Sequence, residues 1–380
     1  MNKKYGITLF LITTILCIIV GEYLLLKLAP IPDPYEKWKY VITPNQFIRS
    51  EHPPNWSITT KVENGLPGMY GANRFTTNNM GFRGDSLHIP KPNNEYRIFM
   101  IGGSTTENFY LDDSLNISWL LQDYLQMNIA TNQLIKVYNA GKSGDAIDDH
   151  ISMLAHRIIH LEPDMVIVFS GMNDLSKSIV GYDYLHYFNK HIKKAPLLKG
   201  FATEFQIPRR LYYLIKNTSP TNKDIIEKIT YTTNYSKKVK LTKSMHVTNE
   251  RPTIDIESYK TNLISMIGLT KSHKIKLIFM TQQTTWNSTV DENTVNWHWM
   301  TFRAGKKFRE DYLDNALDYY NNVMKQVSIE HSIPIYDVAK KIPKSLKYFF
   351  DDVHFNIEGA STVGKDLGKY ILDNNLIVFD

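Results

Sequence analysis

The chain has 380 residues, 43% of them hydrophobic and 22% charged, with a formal net charge of +6. That balance excludes a chain disordered along most of its length and leaves room for one large α/β domain with insertions. The single cysteine, Cys17, excludes a disulfide framework and a cysteine-bound metal.

The first predicted element is a membrane span. Lys3 and Lys4 precede an uncharged apolar run from Tyr5 to Val20, and after Gly21 and Glu22 the run resumes at Tyr23 to Leu26. From Gly6 to Leu28 the segment matches the ~20 residues a helix needs to cross a bilayer. No small-residue cleavage site follows, which favours an anchor over residues 1–29 against a removed leader. The bulky Ile15 and Leu16 before Cys17 argue against a lipid attached there. Lys3 and Lys4 on one flank face Lys27, Lys37 and Lys39 on the other, so charge alone leaves the orientation open. A short basic N-terminus ordinarily stays inside, which places the large domain outside the cytoplasm, in a periplasm or at the cell surface.

Residues 30–93, opening with Pro30, Pro32 and Pro34, read as a linker and an irregular lead-in. Regular alternation begins near residue 94 and continues to residue 380. Tyr96 to Ile101, Leu134 to Tyr138, Met165 to Phe169, Ile275 to Met280 and Ile333 to Tyr336 read as buried strands. Amphipathic helices are expected over Leu313 to His331 and Ala360 to Leu372. Strands alternating with helices make a parallel sheet covered on both faces. Residues 177–255 exceed what the alternation needs and form an insertion. Within it, residues 190–245 hold 13 Lys and Arg against 3 Asp and Glu. Such a patch suits an anionic membrane surface or an acidic polysaccharide, and equally a plain solvated surface. Nothing in the chain has the zinc spacing or the aromatic RNA-binding motif of a nucleic-acid reader.

Four short blocks carry chemistry. The strand Arg97-Ile98-Phe99-Met100-Ile101 runs into Gly102-Gly103-Ser104-Thr105-Thr106, placing a serine at the carboxyl end of a strand, where ligands bind in open α/β sheets. Alone, that serine is an ordinary turn or helix cap. Asp351 and His354 lie three apart, a spacing that lets the carboxylate fix the imidazole in the tautomer that accepts a serine proton. Asn139-Ala140-Gly141-Lys142-Ser143-Gly144 and Ser170-Gly171-Met172-Asn173-Asp174 follow the next two strands. Gly144 offers a backbone amide and Asn173 a side-chain amide to a tetrahedral oxyanion. Each alone would be a turn glycine or a local cap. His150, His156 and His160, with Asp148 nearby, lack an H-E-x-x-H pattern and read as core or surface residues, not metal ligands. Trp297-His298-Trp299 reads as core packing ahead of a substrate wall.

Taken together and in this order, the four blocks resemble those of the SGNH (GDSL-like) hydrolase superfamily, in its membrane-anchored bacterial envelope form. The resemblance spans about residues 75–375. Gly103 stands where many members have aspartate. Asn79-Met80-Gly81-Phe82-Arg83-Gly84 and Thr281-Gln282-Gln283 are weaker matches to the same group. The resemblance implies a three-layer α/β/α, flavodoxin-like fold with a parallel sheet of about five strands. It implies a serine esterase acting on acyl esters, O-acetyl groups of an envelope glycan among them, without cofactor or metal. Ser104 would attack, His354 take the proton and Asp351 orient the ring. The Ser104 amide, the Gly144 amide and the Asn173 side chain would hold the oxyanion. The α/β-hydrolase alternative lacks its G-x-S-x-G elbow. Two other functions fit the same blocks: an O-acyltransferase using the triad on a polysaccharide, and a non-catalytic membrane-anchored binding or scaffold protein.

Overall fold

The computed structural model describes residues 3–31, 47–49, 51–130, 132–181, 204–215, 230–232 and 235–379. Much of the basic stretch, and Lys37 and Lys39 of the anchor's flank, therefore lie outside the described residues. The chain divides into two compact units, one of residues 1–42 with 185–229 and one of residues 43–184 with 230–380.

In the smaller unit, helix α1 (Lys3–Leu28) holds the apolar run. Its Tyr5–Leu28 stretch is long and apolar enough to cross a membrane, and none of it is buried against protein. Glu22, which interrupts the run, accepts hydrogen bonds from the first two amides of the helix Gln206–Ile215, with the Ile207 amide at 2.8 Å. A carboxylate at a helix start satisfies orphan N–H groups and complements the helix dipole. Gln206 Oε1 returns the contact by accepting from the Ile31 amide at 2.9 Å.

The larger unit begins with strands β1 (Ser57–Lys61) and β2 (Ala72–Thr76), paired antiparallel. There follow β3 (Glu95–Gly102), the short helix α2 (Ser104–Glu107), α3 (Ile117–Asn128), β4 (Leu134–Asn139), α4 (Ile147–His156), β5 (Met165–Phe169) and α5 (Met172–Ile179). After them come β6 (Thr230–Thr232), which pairs parallel with β1, α6 (Tyr235–Lys243), α7 (Glu257–Ser272), β7 (Lys276–Met280), α8 (Glu310–His331), β8 (Ile335–Tyr336) and α9 (Ile357–Asp373). The five core strands stand in the order β8-β7-β5-β3-β4, all parallel. That is the flavodoxin-like order, and the five strands are the five apolar runs expected from the sequence.

Central position explains their composition. β3 and β5 are buried at every residue, and from Ile98 onward in β3 and throughout β5 both faces are apolar, while the buried Arg97 at the start of β3 is paired with Glu95 at 2.6 Å. Phe99, Ile101, Val166, Val168 and Phe279 pack into one core with α4, α7 and α8. Their neighbours Ile98, Met100, Ile167 and Ile278 point into a second core with α3 and α9. The three layers follow from this alternation. α9 sits close on α3 because Gly364 lacks a side chain: a Cβ there would lie 2.9 Å from Leu120 Cβ and 3.0 Å from the Ile117 carbonyl.

The lead-in is built into this core. Arg83 is buried and donates to the carbonyls of Glu107, Asn108 and Leu111 at 2.9 Å each, and to Asp113 at 3.0 Å. One guanidinium thereby ties the end of α2 to the turn that follows it through three carbonyls.

Candidate active site

The residues singled out in the sequence fall on loops at the carboxyl ends of the core strands. β3 ends at Gly102 and α2 starts at Ser104. The turn between them is too tight for side chains. A Cβ on Gly102 would overlap Thr106 and approach the Phe169 carbonyl to 2.7 Å, and one on Gly103 would overlap the Asn173 amide. The turn leaves Ser104 at the first position of α2, where its backbone amide has no partner within the helix.

Ser104 Oγ lies 2.8 Å from His354 Nε2, and His354 Nδ1 lies 2.7 Å from Asp351 Oδ2. The loop that supplies both residues is held by Asn356, which donates to the carbonyls of Leu346 and Lys347 at 3.0 and 3.1 Å and caps α9 by accepting from the Gly359 amide at 3.0 Å. Asp351 is fully buried. Its Oδ1 accepts from the amides of Val353 (2.9 Å) and His354 (2.6 Å), and its Oδ2 accepts from the Trp299 indole at 2.9 Å as well as from His354. Burial works to raise the Asp351 carboxyl, but His354 and these hydrogen bonds outweigh it and hold the group below its ordinary value. An ionised Asp351 can only accept, so Nδ1 carries the ring proton and Nε2 is left to accept from the Ser104 hydroxyl. The adjacent Asp352, also buried, binds the Trp286 indole (3.1 Å) and the Met300 amide (2.8 Å), and burial pushes its carboxyl up.

Asn173 stands in the first turn of α5, its amide beside Gly103 and donating to the Asp145 carbonyl at 2.7 Å. Ser104, Gly103, Asn173, Asp145, His150 and Gln282 help line one small cavity. Gly144 occupies the adjoining Lys142–Asp145 turn at φ +84° and does not line that cavity. Asp174 ties the β5 loop to α4, accepting from Ser170 Oγ at 2.8 Å and from the Gly171 and Ile147 amides at 3.0 Å each; burial pushes it up to about 6. His150 is buried and its ring is pushed down to about 3, while His156 stacks on Phe47 with centroids 4.6 Å apart. Among the described residues no group of three or more His, Cys, Asp or Glu is arranged to hold a metal ion.

Two features were not read from the sequence. Trp299 does pack, but its polar edge serves Asp351, and its ring runs parallel to His354 at 6.4 Å and 7°. Phe350 lies on the same imidazole at 5.6 Å and 10°. The second feature is another histidine and carboxylate pair, His52 with Glu107 at 2.8 Å, joined by Lys142 at 3.7 Å from Glu107 and by the Ser143 hydroxyl, which donates to it. The Trp-His-Trp run was the available signal for the first. His52 sits in the lead-in, where no pattern marked it.

Residues 100–361 match the model of the GDSL-like Lipase/Acylhydrolase family. The chain belongs to that family of ester hydrolases. The matched span runs from β3 into α9, and so includes Ser104, Asn173, Asp351 and His354. No curated protein sequence matches the chain. Among solved structures it is similar to a lipase/acylhydrolase from Enterococcus faecalis, with 16% identity over 73% of this chain and 96% of that one, at a TM-score of 0.41. It is also similar to Axe2, an acetylxylan esterase from Geobacillus stearothermophilus (15% identity, 75% and 95% covered, TM-score 0.41). A third is a putative lipolytic protein of the G-D-S-L family from Desulfitobacterium hafniense (13%, 73% and 98%, 0.38).

Proposed function

We propose that the protein is a membrane-anchored serine esterase that removes acyl groups, O-acetyl groups of an envelope glycan foremost, with Ser104, His354 and Asp351 as its triad. The observation that carries the reading is the unbroken run of hydrogen bonds from Ser104 through His354 to Asp351, at 2.8 and 2.7 Å. His354 takes the Ser104 proton as Oγ bonds to the ester carbonyl carbon, and the resulting imidazolium is held by ionised Asp351. The tetrahedral oxyanion is met by the Ser104 amide, the Asn173 side chain and the Gly144 amide. His354 then returns the proton to the departing alcohol, and water repeats the sequence to release the acid. The catalytic domain would run over residues 94–380 and carry the insertion at 177–255.

The anchor reading draws on α1, whose largely apolar 24-residue stretch Tyr5–Leu28 extends about 36 Å as a helix. It also draws on Glu22, which binds the start of a helix more than 180 residues later in the chain and would be lost with a removed leader. Lys3 and Lys4 before the apolar run support an active site outside the cytoplasm, and activity of a C-terminal alkaline phosphatase fusion tests it.

Fluorophosphonate labelling of the detergent-solubilised protein tests the chemistry. Labelling that disappears in Ser104→Ala and His354→Ala is the expected result, followed by acetate release from acetylated oligosaccharides. Well-folded protein that takes no label would overturn the reading.

A further inference from the structure

Two cations lie against the indole that serves the triad. Lys238 Nζ is 3.9 Å from the centre of the Trp299 ring and Arg303 Cζ is 5.5 Å from it. Lys238 belongs to α6, whose sequence carries four lysines and no acid. α6 is fastened to the Trp299 segment by Thr242, which donates to the Trp299 carbonyl at 3.3 Å, and by the edge-on contact of Tyr235 with the indole at 6.0 Å. Arg303 reaches from the other direction. Its Nε donates to Ser176 Oγ at 3.4 Å, on the helix that begins with the Asn173 turn, and its Nη1 to the Phe302 carbonyl at 2.8 Å.

Neither cation is within ion-pairing distance of a carboxylate among the described residues. The acids nearest in the fold are already engaged: Asp351 by His354 and Trp299, and Asp352 by Trp286 and the Met300 amide. Both of those carboxylates are fully buried, whereas Lys238 is exposed and Arg303 half-buried. Partial desolvation beside the indole lowers both cations from their ordinary values, a penalty that an incoming anion would offset. A cation resting on an aromatic face keeps its hydrogen-bond donors available to a ligand.

Resting on the esterase reading, we propose that Lys238 and Arg303 form an anion subsite beside the triad, and that the acyl group is removed from an acidic glycan bearing carboxylates close to the esterified hydroxyl. The subsite gives a role to Lys238, one of the cations of the basic stretch.

The test separates binding from catalysis. Full-length, detergent-solubilised Ser104→Ala protein is titrated calorimetrically with oligogalacturonate and with a neutral xylo-oligosaccharide of equal length. The uronate is expected to bind at least about tenfold more tightly, the size of one charge-assisted hydrogen bond, and to weaken as salt rises. Adding Lys238→Gln or Arg303→Gln should reduce uronate affinity about tenfold, while Arg303→Lys retains most of it. With active protein, the ratio of kcat/KM for acetylated uronate over acetylated neutral glycan should fall in the same variants, through KM. Equal affinity for the two glycans overturns the proposal. So does uronate binding that persists unchanged in both glutamine variants while their stability shifts, since the cations would then serve only to balance Asp351 and Asp352. Because these titrations use a protein without its nucleophile, failure of the esterase reading would show in the labelling experiment and not here.

Discussion

Two histidine and carboxylate pairs meet α2, one at Ser104 and one at Glu107, with nearly the same geometry. His354 meets Asp351 at 2.7 Å and His52 meets Glu107 at 2.8 Å. In the first pair the other ring nitrogen faces the Ser104 hydroxyl at 2.8 Å, and the imidazole keeps some exposure. In the second the ring is buried, Lys142 Nζ approaches its Nδ1 to 3.2 Å, and Ser143 gives its hydroxyl to the carboxylate instead of to the histidine. A histidine oriented by a carboxylate is therefore not yet a catalytic pair. It becomes one when its free nitrogen accepts from a nucleophile that a substrate can reach.

Breaking the first pair should have the largest effect on chemistry and little on stability. Ser104→Ala and His354→Ala are each expected to lower kcat at least about 1,000-fold on a nitrophenyl ester, with thermal unfolding within a few degrees of the parent. Equal activity in His354→Ala would mean that His354 only packs.

Breaking the second pair should do the reverse. Glu107 is buried, yet Lys142 and His52 overcome the effect of burial and pull its carboxyl down to about 2 from an ordinary 4.5. A carboxyl so depressed contributes stability that is present above its unfolded value and disappears as pH falls from about 4.5 toward 2, on the order of 3 kcal/mol. Glu107→Gln should show a loss of that size in urea unfolding at pH 7, and the gap to the parent should narrow as the pH is lowered through that window. His150 acts separately. Its folded ring is pushed down to about 3 from 6.5, so the unfolded chain binds its proton first and stability falls between those values in both proteins. A gap that stays constant from pH 7 to pH 3 would show that Glu107 is not the ionised partner its surroundings imply.

What the sequence disclosed follows the same division. The five strands were readable because buried parallel strands are largely apolar on both faces, and Ser104, Asn173, Asp351 and His354 were singled out by residue type at strand ends, of which Ser104, His354 and Asp351 meet in one run of hydrogen bonds. The second pair was invisible: His52 reaches Glu107 across 55 positions of chain, through a lead-in whose strands β1 and β2 are short and mixed in character. Trp299 was legible as an aromatic but not as a donor, since nothing local says where an indole N–H points. The same holds for Gly144, whose positive φ explains the residue without showing what its amide faces.

Trp299 sharpens the comparison at intermediate size, because it supports Asp351 without touching the serine. Trp299→Phe keeps a ring beside His354 and removes one of the hydrogen bonds on Asp351 Oδ2. A hydrogen bond to a charged group is worth about 1.5 kcal/mol, or roughly tenfold in kcat. The acidic limb of the kcat profile should move with it, since a less well held carboxylate stabilises the imidazolium less. A fall in kcat with no change in that limb would assign the indole to packing alone.

The smallest expected effect lies at Gly103. Its missing side chain lets the Asn173 amide close in beside the nucleophile, and a Cβ would overlap that amide. The overlapping atom is the end of a rotatable side chain, so Gly103→Ala should push the Asn173 amide aside by roughly an ångström without unfolding the turn. An oxyanion donor removed outright costs on the order of 100-fold, and one displaced but free to swing back toward the oxyanion should cost about threefold to tenfold, short of that limit. The loss should appear in kcat and be nearly absent in Asn173→Ala, where no amide remains to displace. An equal loss in both backgrounds would mean that Gly103 is needed for the turn itself and not for the approach of Asn173.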